Sequence, residues 1–249
     1  MDEPAQTPGT STSVLAKGSI HIWRWPLTVP PTRVESLTRS LNEMELERAG
    51  RYHFETLRHK FIVAHAGLRA VLAGYTGIPA EQLSFRLGVQ GKPTLVNRGA
   101  APGLEFNLSD SQDIALAAVT LHQPIGVDIE RVREIPELDS ITTSILAPEE
   151  LSFLRSRKGP ERLAAFLRFW TCKEAIIKAM GVGLSANLKR IVVDAESAAA
   201  SRWFTVHVPA SGRTWSVRSL PIDGGYQAAL AIEGSGGDVD VREWTFPDA

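Results

Sequence analysis

The chain has 249 residues, of which 43% are apolar and 22% charged, with a formal net charge of −1 and a single cysteine. That length suits two domains of about 120 residues each, and the composition is that of a soluble globular protein. The near-neutral charge argues against a nucleic-acid binder, which carries a basic excess. With Cys172 alone, neither an internal disulfide nor a cysteine-based zinc site can be built, and a reducing cytoplasm fits.

The opening MDEPAQTPGTSTS is polar and acidic, without the basic start and apolar stretch of a signal peptide. Residues 1–18, rich in Thr, Ser, Pro and Gly, are expected to form a disordered tail. No run of 18 uncharged apolar residues occurs, so no membrane span is expected. SIHIWRWPL (19–27) reads as a first strand, broken by Pro26, Pro30 and Pro31. RVESLTRSL and NEMELERAG read as short helices, the second opened by Asn42 with Glu45 three residues on, a capping-box pattern. A long helix from about Phe54 to Tyr75 is predicted by the recurrence of Leu57, Phe61, Ala64, Leu68, Leu72 and Tyr75, and Gly77 and Pro79 end it. Short strands follow at 83–87, 92–96, 105–109 and 114–120.

The second half repeats that order. IGVDIE is a strand, short helices lie near 137–145 and 148–156, and a long helix runs from about Pro160 to Met180, stopped by Gly181 and Gly183. Strands are then expected at 190–194, 204–208, 214–220 and 226–232. The repeat predicts an α+β fold of two similar α/β lobes, 19–122 and 123–249, related by a pseudo-twofold axis. The active site would lie at the lobe interface, a common place for ligands.

Within PIGVDIERV (124–132), Asp128 and Glu130 sit two apart, so in a strand they project to the same side while Val127 and Ile129 project to the other. An edge strand facing water would account for this. A divalent cation site would also, because two carboxylates on a rigid strand supply oxygen ligands of the kind Mg²⁺ takes. In FWTCKEAIIKAMG (169–181), Trp170, Glu174 and Lys178 share one helical face. Read alone, Glu174 and Lys178 are a surface ion pair worth about 0.2–0.5 kcal/mol. Three carboxylates with Lys173 and Lys178 are the chemistry that holds a metal–phosphate complex.

GVDIERV followed by FWTCKEAIIKAMGVGL resembles the signature pair of the 4′-phosphopantetheinyl transferases, (V/I)G(V/I)D(I/V)E and (F/W)-x-x-KE-(A/S)-x-x-K. The longer, monomeric surfactin-synthetase-activator (Sfp) type is the most similar. GKPTL (91–95), FNLSDS (106–111) and the basic stretch ERAGRYHFETLRHK extend the resemblance over both halves. It implies transfer of the phosphopantetheine arm of coenzyme A to a serine of an apo acyl or peptidyl carrier protein, releasing 3′,5′-ADP. By the same resemblance Asp128, Glu130 and Glu174 would bind Mg²⁺, or Mn²⁺ in its place. Glu174, or a water it orients, would take the serine proton, and Lys178 would stabilise the leaving phosphate. Arg48, Lys60, Lys92, Pro93, Ser109 and Lys173 would line the coenzyme, with Lys173 either touching phosphate or shielding the site. One position departs from the family pattern F-N-(I/L/V)-S-H-S: Asp110 stands in place of the histidine, and a carboxylate there is repelled by a pyrophosphate unless protonated, metal-bound or turned away. The alternative reading is therefore a degenerate homologue that binds coenzyme A or a carrier without turnover.

The six histidines have no HExxH spacing, and neither a G-x-S-x-G elbow nor a Walker loop occurs. Cys172 reads as packing, and Trp23, Trp25, Trp203, Trp215 and Trp244 as strand core. Arg131, Arg133, Arg155, Arg157, Lys158 and the helix ITTSILAPEEL are candidates for receiving an acidic carrier protein.

Overall fold

The computed structural model describes residues 15–183, 187–209 and 211–246. The expected tail therefore lies outside the described residues up to position 14. Its last residues differ from the expectation, because Leu15 is buried in a hydrophobic core.

In chain order the elements are β1 (Ser19–Pro26), α1 (Pro31–Thr38), α2 (Glu43–Gly50), α3 (Glu55–Thr76), β2 (Phe85–Leu87), β3 (Pro93–Leu95), β4 (Leu104–Ser111) and β5 (Ile114–Leu121). They continue with β6 (Ile125–Arg131), α4 (Leu138–Ile145), α5 (Pro148–Arg155), α6 (Gly159–Met180), α7 (Ala195–Ala199), β7 (Phe204–Val208), β8 (Arg213–Leu220), β9 (Tyr226–Glu233) and β10 (Asp238–Glu243). The chain is α+β and divides into two compact units, each with its own sheet and helices. No helix among the described residues is long and apolar enough to cross a membrane.

The first unit holds the sheet β10-β1-β5-β4. Its long helix, α3, packs Phe61, Ala64, Leu68, Leu72 and Tyr75 into a core with Trp23, Trp25 and Phe106. Leu57, the first member of the predicted stripe, is exposed in the opening turn instead. Gly67 is where the helix meets the sheet, since a Cβ there would lie 2.5 Å from the Trp25 ring. The capping box at α2 forms as its sequence dictates: Asn42 accepts from the Glu45 amide and Glu45 accepts from the Asn42 amide, both at 2.9 Å. Glu45 also receives the fully buried Arg69, whose Nε donates to it at 2.8 Å.

The second unit holds the fully antiparallel sheet β6-β9-β8-β7. Its 22-residue helix α6 covers β6 and β9. As with α3, a left-handed glycine closes the helix: Gly77 has φ 69° and Gly181 φ 68°. That conformation carries a steric penalty for any residue with a Cβ.

The structure differs from the sequence-based reading at three places. Residues 238–246 group with the first unit, because β10 pairs in parallel with β1. The segment 87–92 groups with the second unit. The strand expected at 190–194 is absent: a single 3₁₀ turn, Leu188–Arg190, leads into α7, capped by Asp194 accepting from the Ser197 amide at 2.7 Å. Ile191 and Val193 are nonetheless buried, so their apolar character served packing without a sheet partner. Among the tryptophans, Trp23, Trp25, Trp215 and Trp244 are buried, but Trp244 follows β10 and Trp203 precedes β7 rather than lying within a strand.

Candidate functional site

Strand β6 is buried along most of its length, and its even-numbered side chains face α6. The reason is Gly126. A Cβ at that position would meet the Ala175 carbonyl oxygen at 2.0 Å and the Ala179 nitrogen at 2.4 Å. The missing side chain lets helix backbone rest directly on strand backbone. Asp128 and Glu130, two and four residues further along, share that side.

The helix presents Glu174 and Lys178 to them. Lys178 Nζ donates to Asp128 Oδ1 at 2.6 Å, and Asp128 is only 4% exposed. Glu174 is 7% exposed, and its Oε1 is a buried oxygen with no hydrogen-bond partner among the described residues. Burial pushes the Glu174 carboxyl up to about 7; the Asp128 carboxylate pushes the same way, Lys178 opposes it, and Glu130 adds a smaller upward push. Glu174 thus feels all three neighbours, and the opposing cation is an ammonium on its own helix face.

An oxygen-only donor set of this kind suits a hard divalent cation, and the orphaned Glu174 oxygen is a ready ligand. As the side chains lie, Asp128 gives an oxygen to Lys178, and no three acid, histidine or cysteine side chains among the described residues stand at metal-cage spacing.

Two lysines are placed differently from the sequence-based expectation. Lys173 is fully buried, and its three donors reach Glu150 Oε2 at 2.6 Å, the Leu188 carbonyl at 3.0 Å and the Ile145 carbonyl at 3.2 Å. An ammonium has three N–H bonds, so none remains for a phosphate. Lys92 donates to the Ile125 carbonyl at 2.9 Å and the Ala179 carbonyl at 3.1 Å. It staples the start of β6 to the end of α6, where a cation complements the helix dipole.

Arg48, Lys60, Pro93 and Ser109 belong to the first unit. Arg48 is exposed, its guanidinium 5.4 Å from the Phe61 ring centre. Lys60 pairs with Asp113 at 3.1 Å. Pro93 opens β3. Ser109 is buried on β4, whereas Asp110 next to it is exposed, on the opposite side of the strand. Cys172 is fully buried, and burial pushes its thiol up to about 12, as befits a packing residue.

Glu150 and the contact role of Gly126 were not singled out from the sequence. A glycine inside an apolar strand is itself a signal of close backbone approach. For Glu150 the only local sign is an acid at the third position of a helix opened by Pro148.

Beside Glu130 an open groove is lined by Arg131, Arg133, Ile135, Ile141, Phe166 and Trp170. Arg131 lies 5.0 Å from the Tyr226 ring centre and donates to the Gly224 carbonyl.

Comparison with known proteins gives matches over most of the chain. Residues 124–231 match the family model of the 4′-phosphopantetheinyl transferase superfamily, and residues 29–122 match that of the 4′-phosphopantetheinyl transferase N-terminal domain. The chain is 37% identical over 225 residues to the 4′-phosphopantetheinyl transferase HetI of Nostoc sp., covering 89% of this chain and 91% of that one. It is 27% identical to the L-aminoadipate-semialdehyde dehydrogenase-phosphopantetheinyl transferase of Xenopus laevis, over 87% of this chain and 76% of that one. With a 4′-phosphopantetheinyl transferase of Bacillus subtilis it shares 30% identity over 57% of this chain and 61% of that one.

Proposed function

The chain belongs to the 4′-phosphopantetheinyl transferase superfamily, and we propose that, as such a transferase, it moves the phosphopantetheine arm of coenzyme A onto a serine hydroxyl of an apo carrier protein. The observation that carries this reading is Glu174: a buried carboxyl with an unpartnered oxygen, set among Asp128, Glu130 and Lys178.

A general base must be ionised at the operating pH; without a metal, burial pushes the Glu174 carboxyl up to about 7, and a bound cation would bring it down into its ionised, proton-accepting form. Glu174 takes the serine proton as the serine oxygen bonds to phosphorus and the bond to 3′,5′-ADP breaks. Lys178, on the same helix face, carries positive charge to the oxygen that leaves. Asp128, Glu130 and Glu174 would hold Mg²⁺ or Mn²⁺, which when bound neutralises pyrophosphate charge. Of the first-unit residues, Arg48, Lys60, Pro93 and Ser109 are the coenzyme contacts in this reading. The groove beside Glu130, with Arg131 and Arg133 at its edge, suits an acidic carrier surface.

The test is to incubate the protein with coenzyme A, Mg²⁺ and a panel of apo carriers and to weigh the carriers. One phosphopantetheine should be gained by at least one of them. Coenzyme binding with no mass gain on any carrier would replace this reading with that of a binding homologue.

A further inference from the structure

The charged pair Lys173–Glu150 lies outside the chemistry just described, yet Lys173 is the residue next to Glu174. Both side chains are almost fully buried, 0% and 1% exposed. Every polar atom of the pair is engaged. Lys173 spends its three donors on Glu150 and on the carbonyls of Ile145 and Leu188. Glu150 Oε2 also accepts from the Ala147 amide at 2.7 Å, and Oε1 accepts from the Val193 amide at 2.8 Å. One ammonium and one carboxylate thus knot α6 to the end of α4, the start of α5 and both sides of the 188–193 segment.

Such a knot is directional where apolar packing is not. Successive residues on a helix are turned by about 100°, so the azimuth of Lys173 sets that of Glu174. The knot holds one side of α6, and Gly126 sets the distance on the other by seating β6 on Ala175 and Ala179.

We propose that Lys173 and Glu150 are positioning residues: they hold the rotation of α6 so that Glu174 meets Asp128 and Glu130, and they touch neither coenzyme nor carrier. This rests on the proposed function for two readouts, the proposed transfer for the kinetic one and the proposed cation site for the Mn²⁺ one.

The experiment compares the parental protein with K173M, E150Q and the double variant E150Q/K173M. Three readings are taken of each: Tm, the kcat and KM for coenzyme A in carrier modification, and Mn²⁺ affinity by electron paramagnetic resonance without coenzyme or carrier. Removing one partner leaves a buried charge, so the single variants should lose Tm; the double removes both charges and should regain part of it, the Ile145 and Leu188 carbonyls and one of the Ala147 and Val193 amides being left without their partners. The double variant should still show kcat about 10-fold or more below parental, with KM changed less than about 3-fold, the split expected when an interaction made only in the transition state is lost. It should also bind Mn²⁺ about 5-fold or more weakly, as disturbed ligand support does.

Recovery of Tm, kcat and Mn²⁺ affinity together in the double variant would overturn the proposal and leave the pair a purely structural one. If the double variant does not fold, E150Q measured at 10 °C decides by the same criteria. A parental protein that transfers nothing would count against the proposed transfer alone, because the Mn²⁺ measurement still decides the positioning role.

Discussion

Glu174 shows how one side chain acquires a chemical property from its surroundings. Taking a carboxylate out of water disfavours its charged form, and two neighbouring acids add to the effect; Lys178 limits it. Replacing Glu174 with glutamine keeps the shape and removes the base. Transfer should fall by about 10²–10⁴-fold, the usual worth of a positioned proton acceptor. In metal-free buffer at pH 8 the Tm of Glu174→Gln should equal or exceed the parental value, since a repelled charge has been removed. Carrier mass spectrometry and a thermal melt check the two halves of that expectation; a lower Tm would mean that the carboxylate is stabilising as placed. The residue types Asp128, Glu130, Glu174 and Lys178 were legible in the sequence because strand and helix periodicity each put a pair on one face. The inward course of Lys173 was not legible, because one motif places two lysines close together, and periodicity cannot say which of them turns inward to meet an acid 23 positions earlier.

Among the elements, the pairing of α6 with β6 decides whether the acids meet at all. The contact point is a backbone-on-backbone seat at Gly126. Gly126→Ala should push the helix away, destabilise the protein by about 1–3 kcal/mol as overpacking does, and lower transfer by about 10–100-fold through misplacement. Denaturant unfolding and carrier modification measure these, and parental values for both would mean that the seat is soft. Most helices and strands were readable because their apolar repeats are long and their ends are marked by Gly, Pro or a capping residue. The segment 190–194 was not: alternating apolar residues are required equally by a strand and by an irregular stretch lying on a core. At Val193 the amide that a strand would have offered to a neighbour goes instead to Glu150, at 2.8 Å.

At the scale of the whole molecule, the first unit is completed by residues more than a hundred positions away. Strand β10 lies beside β1 in parallel register from Ser19–Asp238 to Arg24–Glu243. Arg242 is held there by His21, whose Nε2 lies 3.1 Å from Nη2, and by the Trp23 ring, 5.4 Å away. Arginine can only donate, so His21 Nε2 accepts and its Nδ1–H donates to the Tyr75 hydroxyl at 2.6 Å. Burial, helped by Arg242 and opposed by Asp240, lowers the His21 pKa from 6.5 to about 4. As pH falls below 6.5 the unfolded chain takes up a proton that the folded protein refuses until about 4. Stability should therefore drop across that window by up to about 3 kcal/mol. Melts between pH 7 and 4 should show this component in the parental protein and lack it in His21→Gln; equal slopes would remove the assignment.

The sequence by itself determined the α+β class, the order of nearly all elements, the acid-and-lysine set and the family, because these follow from local periodicity and from short motifs whose spacing survives in one dimension. Only the tertiary structure decided that β10 completes the first sheet, that Lys173 and Lys92 serve as internal ties, and that the Glu174 carboxyl is buried beside Asp128 with one oxygen unpartnered. Those outcomes depend on which buried donor finds which acceptor across tens or hundreds of residues, and on how much water each charge loses when it does.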